Sequence, residues 1–342
     1  MDVDPDRVAY IAYTGKAAQV LRNKGCQNAM TAHRLLYNSI PKKDGTFIHV
    51  PKDTIEEKYS IIIVDEISML PKPMWELLLK HKRYIIACGD PGQLPPIGES
   101  TDVLNSPHIF LDEIMRQAAD SEIIRLSADI RAGKTIKPMR GNEINIVRNC
   151  DLVDGMFTWA DQIICGKNAT RYNTNDYFRK MKWGANFSNP IVGDKIICLK
   201  NNWDKIAGAG EALVNGSIGT LTKITTSSDI LLGTKAIIDF EPEGYEGQDV
   251  SFKDLLMDWQ LITNHVPTIN KENFRTFPKF LKPEQFDYGY CITCHKSQGS
   301  EYDKVLVLEE VLKSTDHKRW LYTACTRASQ KLTLVQANNG WY

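Results

Sequence analysis

The sequence predicts an α/β protein in which parallel strands alternate with helices. Short, uniformly apolar runs at Ile61–Val64 and 84–88 are typical of strands that are buried on both faces. Between them lies a helical pattern in which Met74, Leu77 and Leu78 share one face. Strand, helix, strand is the order that builds a parallel sheet.

Length and composition allow more than one domain and exclude some classes of function. The chain has 342 residues, whereas single cores stop growing at about 250 to 300 residues. Lys and Arg (42) balance Asp and Glu (42), so net charge gives no argument for a polyanionic partner. No apolar run reaches the roughly 20 residues of a membrane span, and the N-terminus is acidic rather than signal-like. We therefore expect a soluble, cytoplasmic protein.

The eight cysteines indicate reduced, buried thiols rather than a disulfide framework, because several lie inside apolar runs. The string Cys291-Ile292-Thr293-Cys294-His295 matches a haem-attachment pattern, but that chemistry requires export. A lone Cys-x-x-Cys is also only half of a zinc site. Haem and metal are therefore weak interpretations here.

The first part of the chain contains a strand at 8–13 and a helix at 16–23, with Gly25 as its C-cap. Asp44-Gly45 is a strong two-residue hairpin turn, followed by a strand at 46–50. A further helix at 121–132 begins after Ser121 as N-cap and ends at Gly133.

A second α/β unit begins near residue 159. Its first strand is Gln162–Cys165, and a helix follows at 170–182. Residues 190–283 instead contain short strands divided by Gly, Asn and Ser turns, which predicts a small inserted barrel. The α/β pattern resumes with strands at 288–294, 304–308 and 331–335.

Two acidic residues, Asp65 and Glu66, end the apolar strand Ile61–Val64. An Asp in this position can hold Mg²⁺ that bridges nucleotide phosphates, and the neighbouring Glu can take a proton from an attacking water. Alone the pattern is weak, since a solvated strand end looks the same. Gln93 after the next strand strengthens it, because an amide there can contact a γ-phosphate and Pro95-Pro96 stiffens the loop.

Thr14-Gly15-Lys16 resembles the end of a phosphate-binding loop, but the upstream glycine is replaced by Ile11. A nucleotide cradle is therefore improbable. The three residues still open a helix, and a helix N-terminus binds anions such as a DNA phosphate. A plain helix start is the alternative.

Two strings near the C-terminus combine donors, an acid and an arginine. His295-Lys296-Ser297-Gln298-Gly299-Ser300-Glu301 follows a strand, and Thr326-Arg327 lies on a helix that begins near Asp316. An arginine that reaches a γ-phosphate across a cleft can stabilise transferring charge. An isolated arginine is more often a surface charge.

Five strings in one order resemble the superfamily 1 helicases, and most closely the RecD-like group that includes the phage Dda helicase. They are Thr-Gly-Lys-Ala-Ala (14–18), Asp-Glu-Ile-Ser-Met (65–69), Gly-Asp-x-x-Gln-Leu-Pro-Pro (89–96), His-Lys-Ser-Gln-Gly-Ser-Glu (295–301) and Thr-Arg-Ala (326–328). The resemblance spans nearly the whole chain.

The resemblance implies an ATP-dependent DNA helicase with two RecA-like, P-loop NTPase-type domains and ATP in the cleft between them. Asp65 would organise Mg²⁺, Glu66 would activate water, and Gln93 would sense the γ-phosphate. Other residues that would contact the nucleotide are Arg116, Gly299, Glu301 and Arg327.

For nucleic acid, the resemblance implies translocation 5′ to 3′ on single-stranded DNA, with forked or tailed duplexes as substrates. Implied DNA contacts are Thr14, Gly15, Lys16, Thr31, His33, Asn168, Arg171, His295, Lys296 and Ser297. The hairpin at about 37–58 matches the family's strand-separating pin, and its Phe47 and His49 are candidates to touch a base. Phosphate contacts of this kind carry no sequence preference.

The expected domains are a first RecA-like domain at 1–157, a second at 158–189 and 284–342, and an SH3-like insertion at 190–283. The β-hairpin projects from the first domain.

The sequence departs from the family pattern at one point, because Gly-x-x-x-x-Gly-Lys-[Ser/Thr] does not occur in it. We expect weak ATP binding and little hydrolysis without that loop, and we interpret the chain as N-terminally truncated. The missing strand should leave the segments 84–88 and 109–111 without hydrogen bonds to each other. A hydrolysis-dead single-strand-binding module, half of a split enzyme, or an RNA helicase of the same superfamily remain as alternatives.

Overall fold

The computed structural model describes residues 4–41, 47–96, 99, 101–111, 121–184, 189–208, 211–230, 233–245, 250–269, 282–312 and 316–337. Its strands form a four-stranded parallel sheet, a six-stranded sheet that is parallel except at one edge, and a five-stranded antiparallel sheet, with two short antiparallel pairs beside them.

The first sheet is parallel throughout and has the order β2-β1-β5-β6. Its helices pack the apolar residues of β1 and β5 into a buried core. The elements of this lobe are β1 (Val8–Ala12), α1 (Gly15–Asn23), β2 (Ala29–Thr31), α2 (Ala32–Leu36), β3 (Tyr37–Pro41), β4 (Phe47–Pro51), β5 (Ile61–Val64), α3 (Lys72–Lys80) and β6 (Tyr84–Ala87).

Strand β6 has one hydrogen-bonded neighbour, β5, in the part of the chain that the structure describes. Residues 109–111 do not form a strand there, so the expectation that 84–88 and 109–111 do not pair is confirmed. One face of β6 carries exposed apolar side chains, since Tyr84 is 80% and Ile86 53% exposed.

Strands β3 and β4 form an antiparallel pair in which Tyr37 lies opposite Pro51 and Ile40 opposite Ile48. This pair lies in the region where the sequence predicts a hairpin. The predicted turn residues Asp44 and Gly45 lie outside the described residues.

The next segment contains α4 (Glu122–Ala132), β7 (Met139–Arg140), β8 (Ile144–Arg148), α5 (Asp154–Trp159), β9 (Gln162–Cys165) and α6 (Asn168–Trp183). The start of α4 is held differently from the prediction, because the Ser121 side chain does not cap it. Instead the carboxylate of Glu143 accepts hydrogen bonds from Ser121 Oγ at 2.7 Å and Glu122 N at 2.8 Å. Gly133 ends the helix in the left-handed conformation, as the sequence predicts.

The inserted part contains β10 (Lys195–Cys198), β11 (Asn202–Ile206), β12 (Ala212–Leu213), β13 (Ile218–Asp229), β14 (Gly233–Pro242), β15 (Phe252–Met257), α7 (Trp259–Asn264) and β16 (Phe286–Tyr288). Five of its strands form an antiparallel sheet in the order β15-β14-β13-β10-β16. Because β16 pairs with β10, the insertion continues past the predicted end at residue 283. We call residues 195–288 the insertion.

The last elements are β17 (Cys291–Thr293), α8 (Cys294–Ser297), β18 (Tyr302–Leu308), α9 (His317–Cys325) and β19 (Ala328–Gln336). The strand predicted at 288–294 is therefore two strands in different sheets, separated at Gly289. The second sheet has the order β17-β9-β18-β19-β8-β7, with only β7 antiparallel to its neighbour.

The predicted end of the first domain at residue 157 does not match this sheet. Strand β8 pairs with β19, and α4 packs Ile123, Leu126 and Ile130 into the same core as the second sheet. The chain therefore enters the second lobe before Glu122. Strand order could not be read from the local pattern, because the partner of β8 lies almost at the other end of the chain.

Among the residues that the structure describes, no helix combines the length and apolar character needed to cross a membrane. Cys291 and Cys294 are fully buried, and in the described part no three His, Cys, Asp or Glu side chains are grouped to hold a metal ion. The haem-like string is thus part of strand β17 and helix α8.

Gly219 of β13 lies directly against the backbone of β14. A Cβ atom there would press on the Glu241 carbonyl and lie 2.6 Å from Pro242 Cα, and both neighbours are backbone. We expect Gly219→Ala to lower the free energy of unfolding by about 1–3 kcal/mol, measured by urea denaturation. Gly155→Ala is the control, because an added Cβ there has no neighbour within 4 Å; equal losses in both variants would contradict the prediction.

Candidate nucleotide and nucleic-acid sites

Asp65 and Glu66 lie at the carboxyl end of β5, where parallel strands present their loops on one edge of the sheet. Glu66 has the left-handed backbone conformation, with φ 50° and ψ 50°. Non-glycine residues rarely adopt it, and the strain is most often found where function holds it in place.

The loop after β6 places Gln93 beside Glu66. The Gln93 amide is buried, and its Nε2 makes a long contact of 3.5 Å with Glu66 Oε1. Its Oε1 has no hydrogen-bond partner within the described residues. A buried amide of this kind usually has a partner, so the side chain is placed to contact a further group at this site.

The same loop is bonded to the second lobe. Leu94 N donates to Thr323 Oγ1 on α9 at 2.9 Å, and Leu94 O accepts from Gln298 Nε2 at 3.0 Å. The loop that carries Gln93 therefore contacts both lobes. Any change in the separation of the lobes acts directly on it.

Asp90 joins the two lobes through a network that the sequence reading did not assign. Its carboxylate accepts from Tyr322 Oη at 2.5 Å and forms an ion pair with Arg131, whose guanidinium lies 4.9 Å from the Tyr322 ring centroid. The carboxylate also accepts from Gly92 N at 2.8 Å. The motif Gly89-Asp90 draws attention to this loop. The neighbouring sequence does not indicate that the partners of Asp90, Arg131 and Tyr322, lie about 40 and 230 residues further along the chain.

Arg327 is buried and lies just after the end of α9. It donates to Thr323 O at 3.1 Å, to Ser300 O at 3.1 Å and to Thr326 Oγ1 at 3.2 Å. Its charge reaches Glu66: burial raises the pKa of that carboxyl, with Asp65 and Asp90 adding to the rise, while Arg327 and Gln93 oppose it. The structure thus brings together Asp65, Glu66, Gln93 and Arg327.

The other predicted nucleotide contacts are placed differently. Gly299 faces α1, since a Cβ there would lie 3.0 Å from Ala17 Cβ, and Glu301 is exposed. Arg116 lies outside the described residues.

The donor set at β5 fits a hard cation with phosphate and water ligands. Asp65 supplies a carboxylate oxygen beside the strained Glu66, and the unpartnered Gln93 oxygen adds a neutral acceptor. Asp65 would hold Mg²⁺ here, and the ion would neutralise phosphate charge when bound.

The raised pKa of Glu66 predicts a stability difference that depends on pH. Its pKa in the folded protein exceeds the ordinary 4.5, so the folded state keeps a proton that the unfolded chain releases. Stability therefore falls as pH rises from 4.5 through the raised pKa and stays lower above it. We expect Glu66→Gln to raise the melting temperature at pH 7 and to raise it less at pH 4.

Thermal denaturation at both pH values measures this difference. Glu76→Gln on the exposed side of α3 is the matched control. A Glu66→Gln variant that is less stable than the parent at pH 7 would contradict the prediction.

Of the predicted DNA contacts at the start of α1, Thr14 caps the helix by accepting from Ala17 N at 3.1 Å. Gly15 is buried against Val214 of the insertion. Lys16 Nζ lies 3.5 Å from Glu243 O, also in the insertion. In this conformation the N-terminus of α1 is covered.

His33 is exposed and lies in a cluster of rings with Tyr13, Tyr37 and His49, whose centroids are 5.7 to 6.4 Å apart. The cluster joins the end of β1 to the β3–β4 pair and suits contact with bases. Thr31 is buried and accepts from Arg34 N at 3.2 Å as the N-cap of α2. The Phe47 side chain lies outside the described residues.

On the second lobe, Asn168 is exposed at the start of α6. Arg171 is 7% exposed and forms an ion pair with Asp287 at 2.8 Å, so its charge is neutralised inside the protein. The predicted DNA contact by Arg171 is not supported by this arrangement. Glu310 accepts from Gly166 N and Lys167 N at 2.7 and 2.8 Å at the same helix end.

At α8, too, some of the predicted DNA contacts are accessible and another is buried. His295 and Lys296 are partly exposed, and burial lowers the pKa of both side chains. Lys296 Nζ donates to Asn215 Oδ1 of the insertion at 2.6 Å. Ser297 is fully buried and donates to Cys294 O, so its hydroxyl is structural here.

Models of known protein families match residues in both lobes. An AAA domain model matches residues 4–149, and the model of the UvrD-like helicase C-terminal domain matches residues 288–335. The ATP-dependent RecD2 DNA helicase of Deinococcus radiodurans is 24% identical over 361 residues, which cover 98% of this chain. These matches make the chain similar to the superfamily 1 helicases.

Further matches also span nearly the whole chain. An uncharacterised protein of Acanthamoeba polyphaga mimivirus is 24% identical over 96% of this chain and 88% of its own length. The chain spans only 43% of RecD2. Bacteroides Pif1 helicase, solved with ADP-AlF3 and single-stranded DNA, superposes with a TM-score of 0.54 at 16% identity, covering all of this chain and 84% of Pif1. The parallel sheets therefore match the α/β fold of a Pif1 helicase.

Proposed function

We propose that this protein is an ATP-dependent DNA helicase of the RecD/Pif1-like type that moves 5′ to 3′ on single-stranded DNA and opens forked or tailed duplexes. One observation carries the proposal. The acids at the end of β5 lie close enough to Arg327 of the other lobe for its charge to act on Glu66, and the Gln93 loop is bonded to both lobes.

The arrangement suits phosphoryl transfer to water. A carboxylate with a raised pKa is a better proton acceptor near neutral pH, so Glu66 would take the proton of the attacking water. Gln93 would contact the γ-phosphate, and Arg327 would stabilise the charge that develops on it. Because Asp90 and Leu94 are held by α9, closing of the lobes would move Gln93 toward the phosphate.

The proposed path of single-stranded DNA runs over the exposed candidates on both lobes. On the first lobe these are the His33 ring cluster and the β3–β4 pair, which we propose as the strand-separating pin. On the second lobe they are Asn168, His295 and Lys296. We propose that the five-stranded insertion is SH3-like and borders this path.

A second candidate is a single-strand-binding module with little ATP turnover, or half of a split enzyme. The observation that favours it is the lack of Gly-x-x-x-x-Gly-Lys-[Ser/Thr] in the sequence, the loop that normally holds the β- and γ-phosphates.

ATP hydrolysis with and without oligothymidine, together with anisotropy of labelled oligothymidine, separates the two candidates. Turnover stimulated by the oligonucleotide supports the helicase, and binding without turnover supports the module. Oligouridine in parallel tests RNA preference. Lack of both binding and turnover would overturn both candidates.

A further inference from the structure

Helix α1 of the first lobe is covered at its N-terminus by the insertion. Gly15 is buried, and an added Cβ would lie 2.5 to 2.9 Å from the side-chain carbons of Val214. The backbone of Gly15 is thus in van der Waals contact with Val214, and a phosphate cannot approach the helix end from this side.

A two-pronged ion pair holds the other end of α1 against the insertion. Arg22 Nε donates to Glu211 Oε1 at 3.1 Å, and its second terminal nitrogen donates to Oε2 at 2.7 Å. The side chains are only 29% and 15% exposed, so water screens the pair incompletely. Arg22 also donates to Ala29 O at 3.1 Å, which fixes the guanidinium to its own lobe.

Further contacts continue along the helix. Asn23 Nδ2 donates to Gly244 O at 3.0 Å, and Tyr245 hydrogen-bonds to Glu211. Burial, followed by the charge of Glu211, raises the pKa of the Tyr245 hydroxyl, so it stays protonated as a donor. Glu211 is therefore anchored within the insertion just as Arg22 is anchored within the first lobe.

We propose that the Arg22–Glu211 pair is an autoinhibitory latch that keeps the insertion over the N-terminus of α1 and so limits binding of single-stranded DNA. The inference rests on the proposed function together with the expectation, drawn from the sequence, that this helix end contacts a DNA phosphate. Only the open fraction of molecules can bind there, so apparent affinity is reduced by that fraction. Weakening the latch raises the open fraction and tightens binding.

The test measures binding of fluorescein-labelled oligothymidine by anisotropy at fixed salt. We expect Glu211→Gln to bind about tenfold more tightly than the parent, the equivalent of about 1.4 kcal/mol. Asp254→Asn makes the same charge change at an exposed pair with Lys223 in the insertion and should change affinity less than about twofold. The exchange Arg22→Glu with Glu211→Arg restores the pair with unchanged net charge and should return affinity toward the parent.

A distance measurement tests the latch without DNA. The three cysteines that are not buried, Cys26, Cys88 and Cys150, are first changed to Ser. Spin labels are then attached at Lys24→Cys and Ser228→Cys, and double electron–electron resonance measures the distance between α1 and the insertion. The labelled positions are exposed. The distance should lengthen or broaden in the latch variant and not in the control.

Circular dichroism first establishes that each variant is folded. An unchanged distance overturns the latch whatever the oligonucleotide does. A longer distance without tighter binding overturns its autoinhibitory role. A longer distance with no binding by any variant, the parent included, overturns the proposed DNA-binding function and the autoinhibition with it.

Discussion

Replacing Arg327 with alanine is expected to reduce single-strand-stimulated ATP hydrolysis by about 10³-fold or more. The guanidinium is held by three hydrogen bonds within its own lobe, yet its charge reaches Glu66 of the other lobe. A cation fixed in this way can stabilise developing phosphate charge without reorganising. Single-turnover hydrolysis, expressed as a ratio to the parent, measures the effect.

Arg319→Ala is the matched control, because this half-exposed arginine lies on the same helix and pairs only with Asp316 among the ion pairs of the described residues. A second readout does not depend on turnover. Since Arg327 lowers the pKa of Glu66, its removal should raise that pKa further, as followed by NMR titration of the Glu66 carboxyl. A pKa that stays the same or falls would show that the two groups do not face each other.

Replacing Asp194 with alanine is expected to lower the free energy of unfolding by about 3–5 kcal/mol. Asp194 is fully buried and bonds to Arg179 through two contacts of 3.0 Å. It also accepts from Trp183 Nε1 at 3.1 Å and Tyr290 Oη at 3.0 Å. Its loss leaves the buried Arg179 charge without its carboxylate where α6 meets the insertion. Urea denaturation measures the change.

Asp254→Asn is the control for this change, because the Asp254 carboxylate is 71% exposed and pairs with Lys223, which is 52% exposed. Asparagine also tolerates the left-handed backbone conformation of this position. Surface pairs of this kind contribute little to stability. Similar denaturation midpoints for the two variants would mean that the Asp194 network does not stabilise the fold.

The individual strands and helices were largely predictable from the sequence, because their apolar patterns are local. The runs at β5, β6 and β9 predicted strands within one residue of their observed bounds. Asp65, Glu66 and Gln93 could be singled out because they follow apolar strands and match helicase motifs, and they lie together because parallel strands place their following loops on one edge. Their roles in catalysis stay a prediction.

What depends on long-range partners could not be predicted in the same way. The pairing of β8 with β19 moves the lobe boundary, and neither strand indicates its partner. The ion pair of Arg171 with Asp287 joins residues that are far apart in the sequence. The burial of the Ser297 hydroxyl depends on tertiary packing, which the local sequence does not show. Asp90 is a further example, since its contacts appear only when α4 and α9 are brought beside it.

On one side of β6 the described part of the chain provides no hydrogen-bonded neighbour, and this has a consequence for handling the protein in solution. An apolar strand whose outer amides and carbonyls are engaged by no described strand is a template on which another extended chain can add, and the exposed Tyr84 and Ile86 offer no charge to prevent it. Concentrated samples are therefore prone to intermolecular β-pairing that begins at this strand, and the onset of turbidity should depend on protein concentration rather than on ionic strength.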